Sequence, residues 1–130
     1  MAIFVMDEAA YKELTRSPTG EVGRYLIVVS AKLKYLAKYQ VGKKTGALSN
    51  SINYRLTRDS RGLVAVVGSD NRVALMHHNG TRPHIIMPRH AQTLRFYSHG
   101  RIVYSKLVHH PGTKPNRYLT DNLGPVIRQL

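Results

Sequence analysis

Cysteine is absent from the chain, and carboxylates are scarce. Without cysteine there are no disulfides and no thiolate metal sites, a usage that fits a reducing cytoplasm. Seven Asp and Glu among 130 residues leave little material for carboxylate metal cages, and no paired-carboxylate pattern occurs. The longest apolar run in the middle, Tyr25 to Val29, is far short of the roughly twenty residues a membrane span needs. The opening Met1–Met6 is too short for a signal h-region and runs straight into Asp7 and Glu8, so no signal peptide is expected. There is no Arg-rich block, basic tail or low-complexity linker, and none of the aromatic-flanked motifs of common RNA-binding modules. His-Glu-x-x-His, a Gly-rich phosphate loop and a nucleophile elbow are missing as well.

What is present is positive charge. Twenty Lys and Arg against seven acids give a formal +13 and a pI near 10.4. Such a surplus speaks to partners rather than fold: nucleic acid, acidic protein neighbours, or a solvated surface without a specific role. The cations are spread from Lys12 to Arg128 rather than clustered. At this length the chain is expected to be one domain that buries roughly two-thirds of its unfolded surface.

The pattern along the chain predicts an α+β fold. Asp7 is a plausible N-cap for a helix from Glu8 to Thr15, acidic early and basic late, which Ser17-Pro18-Thr19-Gly20 ends. Val22, Leu26, Val29, Leu33 and Leu36 then make one stripe of a long helix running to about Gln40 and stopped by Gly42. Tyr25, Tyr35 and Tyr39 widen its apolar face or offer a polar tip at an interface. Ser51 to Leu56 alternates as a half-buried strand, Asp59 to Gly62 turns, Leu63 to Val67 reads as a buried strand, and Arg72 to His78 reads as the next one. The expected architecture is a long N-terminal helix packed on an antiparallel meander. A hairpin, Thr93–Tyr97 and Arg101–Tyr104 around Ser98-His99-Gly100, extends from it within residues 82–110. Tyr118 to Leu130 is expected to be a short C-terminal helix disturbed by Gly124-Pro125.

One motif occurs twice: His77-His78-Asn79-Gly80-Thr81-Arg82-Pro83 and His109-His110-Pro111-Gly112-Thr113-Lys114-Pro115. Each copy follows a stretch read as a strand, Val73–Met76 and Arg101–Val108. Gly supplies a positive φ and Pro fixes the exit, so each marks a sharp turn, and two copies are too few for a solenoid.

The seven histidines raise metal binding and catalysis. Adjacent His77–His78 and His109–His110 point to opposite faces of a strand and do not chelate one ion readily, and His78, His84 and His90 match no standard ligand spacing. A small ribonuclease drawing on His78, His84, His110, Arg82 and Tyr118 is the enzymatic alternative, by acid–base catalysis and phosphate stabilisation. Simpler roles are turn caps and interface contacts. No catalytic residue, metal or cofactor is assigned.

The order of the motifs carries a resemblance. A long helix leads to Thr45-Gly46-Ala47-Leu48-Ser49-Asn50-Ser51-Ile52, then Val66-Val67-Gly68-Ser69, then the first Gly80-Thr81 turn, and finally Pro115-Asn116-Arg117-Tyr118-Leu119 before the last helix. Over residues 20 to 124 this resembles the gene-product-ten-like family of tailed-phage tail-component or neck proteins. Many members have Glu before the first Gly-Thr, where His77-His78-Asn79 stands here, and Phe near the last Pro, where Tyr118 stands. The resemblance implies a non-enzymatic virion protein, made in the host cytoplasm and placed at the neck. Its partners would be copies of itself in a ring, hexameric or alternatively dodecameric, with the head-closure or connector protein and the tail terminator or tail-tube protein on either side. Genomic DNA would pass through the channel, where the basic surface would either make non-specific phosphate contacts or face acidic partner rings instead, with no membrane involved. Assembly contacts are expected at Arg82, His84 and Ile85, at Leu94, Phe96, Ile102 and Tyr104 of the hairpin, and at Pro111, Gly112, Thr113, Pro115 and Tyr118. Thr45, Gly46, Leu48 and Ile52 are expected to determine the fold. A basic nucleic-acid-binding protein is the alternative.

Overall fold

The computed structural model describes residues 1–129 and is α+β, as the pattern predicts. Helix α1 (Glu8–Arg16) is capped by Asp7, whose Oδ1 accepts from the Ala9 and Ala10 amides at 2.9 and 3.1 Å. Helix α2 (Glu21–Gln40) packs against α1, both strands of the first hairpin and the C-terminal helix. Its buried line is Gly23, Val29, Ser30, Leu33 and Ala37, so small residues share the predicted stripe and let neighbours approach closely. A Cβ on Gly23 would lie 2.3 Å from the Pro18 carbonyl oxygen, which is why this helix tolerates a glycine in its first turn. Val41 caps the helix and Gly42, at φ +74°, ends it as expected.

A single-turn helix α3 (Ala47–Ser51) leads into β1 (Asn53–Asp59), which pairs antiparallel with β2 (Gly62–Gly68) from Asn53↔Gly68 to Asp59↔Gly62. The Asp59 carboxylate accepts from the Arg61 and Gly62 amides, and the Arg61 amide chiefly holds its carboxyl below the ordinary range. The segment Leu63–Val67, expected to be a buried strand, is only half-buried, with Val66 exposed, although α2 and α1 both contact β2.

The largest departure is Arg72–His78. It forms helix α4 (Ala74–Asn79), closed by Gly80 at φ +73°, not a strand. Ala-Leu-Met are strong helix formers, and a four-residue apolar run, Val73–Met76, does not by itself distinguish strand from helix. His77 and His78 therefore lie side by side on a helix rather than on opposite faces of a strand.

Residues 82–110 make a two-stage antiparallel arm. Its stem is β3 (His84–Ile86) paired with β6 (Val108–His110), and its tip is β4 (Leu94–Ser98) paired with β5 (Arg101–Ser105). The tip turns through His99 and Gly100, both at positive φ (50° and 76°), the two-residue turn whose twist matches a hairpin. The stretch read as one strand from Arg101 to Val108 is broken after Ser105, whose Oγ donates to the Leu107 carbonyl and accepts from the Leu107 amide. Among the described residues the strands thus pair two by two into three antiparallel ribbons. Helix α5 (Thr120–Arg128) closes the chain, with Pro125 inside it.

The core is small. Ala37, Val41, Ile52 and Tyr118 form its centre, with Leu48 and Leu119 packed against them.

Candidate functional site

The two copies of the repeated motif meet. Thr81 and Thr113 form an antiparallel pair, each amide donating to the other's carbonyl at 3.1 Å, and their hydroxyls lie 3.1 Å apart. The ladder continues in register through His84↔His110 and Ile86↔Val108. A Cβ on Gly80 would lie 2.5 Å from the Thr113 carbonyl oxygen and 2.8 Å from the Pro115 nitrogen. One on Gly112 would lie 2.3 Å from the Thr81 carbonyl oxygen and 3.0 Å from the Pro83 nitrogen. Each glycine therefore packs on the threonine and proline of the other copy, a local two-fold arrangement about the Thr81–Thr113 pair. Gly80 and Gly112 have the positive φ expected of them.

Behind this junction sits a polar network that sequence reading did not find. The Asn116 side-chain amide donates to the Gln40 carbonyl at 3.2 Å, and Gln40 Nε2 donates to Asn116 Oδ1 at 3.0 Å. Asn122 Nδ2 donates to Gln40 Oε1 at 2.6 Å, and the Asn116 amide N–H donates to the His77 carbonyl at 3.1 Å. The network ties the end of α2 to α4 and to the start of α5. Its only signal in the sequence was the pair Asn116 and Asn122 bracketing Tyr118.

Apart from the Gly80-Thr81 turn, the short motifs that carried the resemblance are linked to one another. Gly46 takes φ +80°, Leu48 and Ile52 enter the core, and Ser51 Oγ lies 2.6 Å from Ser69 Oγ of the Val-Gly-Ser element. Tyr118 and Leu119 complete that core. Tyr118 was expected at an interface. At 1% exposure it is a core residue, its hydroxyl donating to the Ala74 carbonyl at 3.4 Å and its burial raising its phenol pKa.

The remaining expected contact residues lie at the surface of the arm and its base. Arg82, His84, Ile85, Pro111, Thr113 and Pro115 are exposed, and Gly112 is half-buried against the other copy of the motif. On the tip, Phe96, Ile102 and Tyr104 are exposed while Leu94 is half-buried. Pair register puts Leu94, Phe96 and Val103 on one face and Tyr97, Ile102 and Tyr104 on the other. The structure gathers these two surfaces on one arm but does not merge them into a cleft.

The histidines fall into two groups. His77 and His78 lean on the Tyr118 ring, centroids 6.1 and 5.3 Å away, the second edge-on. His84 and His110 face each other on the stem at 4.9 Å. His84 Nδ1 donates to the Arg82 carbonyl and His110 Nδ1 accepts from the Gly112 amide, so both rings are held by their own backbone. Among the described residues no three His, Asp or Glu side chains converge as a metal site. The residues of the ribonuclease alternative are divided between these groups, with the Tyr118 phenol buried.

Charge is mostly uncompensated. Among the described residues three of the twenty Lys and Arg have a carboxylate within reach: Lys12 with Glu8, Arg24 with Glu21 and Arg61 with Asp59, all local and solvent-facing. No helix is long and apolar enough to cross a membrane among the described residues.

No family model, no curated protein and no solved structure matches this chain.

Proposed function

We propose that this protein is a non-enzymatic structural component of a tailed-phage virion, assembling as a ring at the head–tail junction. The motif order supports the placement, and the surface supports the assembly. The chain exposes 10588 Å², whereas a folded monomer of its 14.7 kDa exposes about 6,900 Å². It buries about half of its extended surface instead of the expected two-thirds. The excess of about 3,600 Å² compares with about 800 Å² per partner in a standard interface, room for contacts on several sides. A ring subunit in a stacked neck needs such contacts, with two neighbours beside it and a layer above and below.

The reading predicts that the purified protein, mixed with the head-closure and tail-terminator proteins of the same phage, forms closed rings visible by electron microscopy and co-purifies with one of them. Failure to bind either, with no ring alone, counts against it. The uncompensated cations favour one second reading, a basic nucleic-acid-binding protein. That reading predicts sequence-blind binding that weakens steeply as salt rises.

A further inference from the structure

We propose that the β4–β5 hairpin of one copy seats in the groove between α2, β2 and α5 of the next. The inference rests on the assembly reading above and names its side-to-side contact.

The hairpin needs a partner. A lone two-stranded ribbon is marginal in water, and this one packs chiefly on itself. It carries apolar side chains on both faces, with Tyr97 74% and Tyr104 64% exposed beside Ile102, and Phe96 and Val103 behind them. Neither orientation hides both faces.

The groove has matching chemistry. Its floor is Val29 and Leu33 of α2, its walls Val67 of β2 and Leu123 and Ile127 of α5, and it encloses about 370 Å³. Leu123 and Ile127 remain 42% and 48% exposed along its mouth. Ribbon and groove lie on different elements of one chain, so their contact is head-to-tail, the kind that closes into a ring when the rotation permits. The unburied area of each copy exceeds what a hairpin-side and a groove-side interface together need.

The chain itself carries two exposed apolar candidates for the groove, and one observation favours the hairpin of a second copy. The hairpin is already folded, whereas the other exposed apolar segment, Ile3–Met6, has no regular structure and must be ordered on docking. The charge works against this contact: at +13 each copy repels the next, a cost the apolar surfaces must outweigh. Contact between copies must then be apolar, and salt should strengthen it by screening the repulsion, the opposite of phosphate binding.

The test is Ile102→Asp on the hairpin and Ile127→Asp in the groove, each partly exposed, with Tyr97→Ser/Tyr104→Ser as a second hairpin variant and deletion of residues 1–6 as a comparison. Circular dichroism confirms folding, and light scattering across protein and salt concentrations reads assembly. Expected is an oligomer of the unaltered protein that forms more readily at higher salt. Each hairpin or groove variant should need at least about tenfold more protein to assemble. Mixing Ile102→Asp with Ile127→Asp should restore a one-to-one dimer, because one supplies an intact groove and the other an intact hairpin. Variants that assemble like the unaltered protein overturn the docking and leave the ring reading standing. Assembly lost only on deleting residues 1–6 gives the groove to the N-terminal segment and overturns it too. A chain monomeric at every salt also overturns it, and the ring reading then stands only if a head-closure or tail-terminator partner raises the mass.

Discussion

Gly80 and Gly112 hold positions that only glycine fits, for two separable reasons. Both have positive φ, and both sit where a Cβ would strike backbone of the other motif copy. Gly42 has a similar φ with open space around it, so it isolates the first reason. Gly42→Ala should cost about 1 kcal/mol, the left-handed penalty alone. Gly112→Val adds the clash with Thr81 and should cost about 3 kcal/mol or more. Urea unfolding of the two variants measures the difference, and equal costs would mean that the two motif copies do not pack as described. Tyr118 makes a second residue-scale case. Its raised phenol pKa means the folded state keeps a proton where the unfolded chain has lost it. The associated stability is whole below the ordinary tyrosine range near ~10 and is lost as pH climbs through the raised value. Tyr118→Phe should flatten the alkaline fall in stability at a cost of about 1 kcal/mol near neutral pH, while Tyr118→Ala should cost about 4 kcal/mol. Thermal melts across alkaline pH check both.

The hairpin tip turns on His99 and Gly100, and His99 is the one non-glycine residue at positive φ among those described. Asparagine accepts that conformation more readily. His99→Asn should stabilise the tip by a few tenths of a kcal/mol, about the scale of a turn preference. Slower hydrogen exchange at the Ser98 and Arg101 amides would show it, and faster exchange would contradict the turn assignment. Elements with strong local signals were legible in the sequence. The Asp7 cap, the stripe of α2, the Gly42 stop and both hairpin turns each rest on chemistry within a few residues. What failed needed distant information. The helix formed from Arg72–His78 is anchored by the Tyr118 hydroxyl, which donates to the Ala74 carbonyl from forty-four positions away. The repeated motif was read as two separate turns. Its copies in fact pair with each other, a relation that spacing does not encode. The amide network of Gln40, Asn116 and Asn122 was invisible for the same reason. Of the expected contact residues, Tyr118 alone proved buried, because an aromatic beside a turn looks the same in sequence whether it faces out or in.

At the scale of the whole molecule, the balance between surface and core decides the reading. Among the described residues eight buried apolar ones anchor a chain that leaves 10588 Å² exposed, with both faces of a hairpin, a groove on α2 and an apolar N-terminal segment among the open surfaces. A chain so finished is expected to gain stability from assembly, since a partner that binds only the folded form shifts the equilibrium by mass action. Its melting temperature should therefore rise with protein concentration, and a value independent of concentration would indicate a self-sufficient monomer. The charge acts against self-association and in favour of polyanions, so the two readings of this protein separate on salt.

The most direct measurement is the mass of the purified protein by light scattering over a range of salt, alone and with head-closure and tail-terminator proteins. The assembly account predicts a closed oligomer, alone or with one such partner, whose side-to-side contact holds or strengthens as salt rises. A monomer at every salt that ignores those partners, yet binds DNA tightly at low salt and releases it as salt rises, would contradict it.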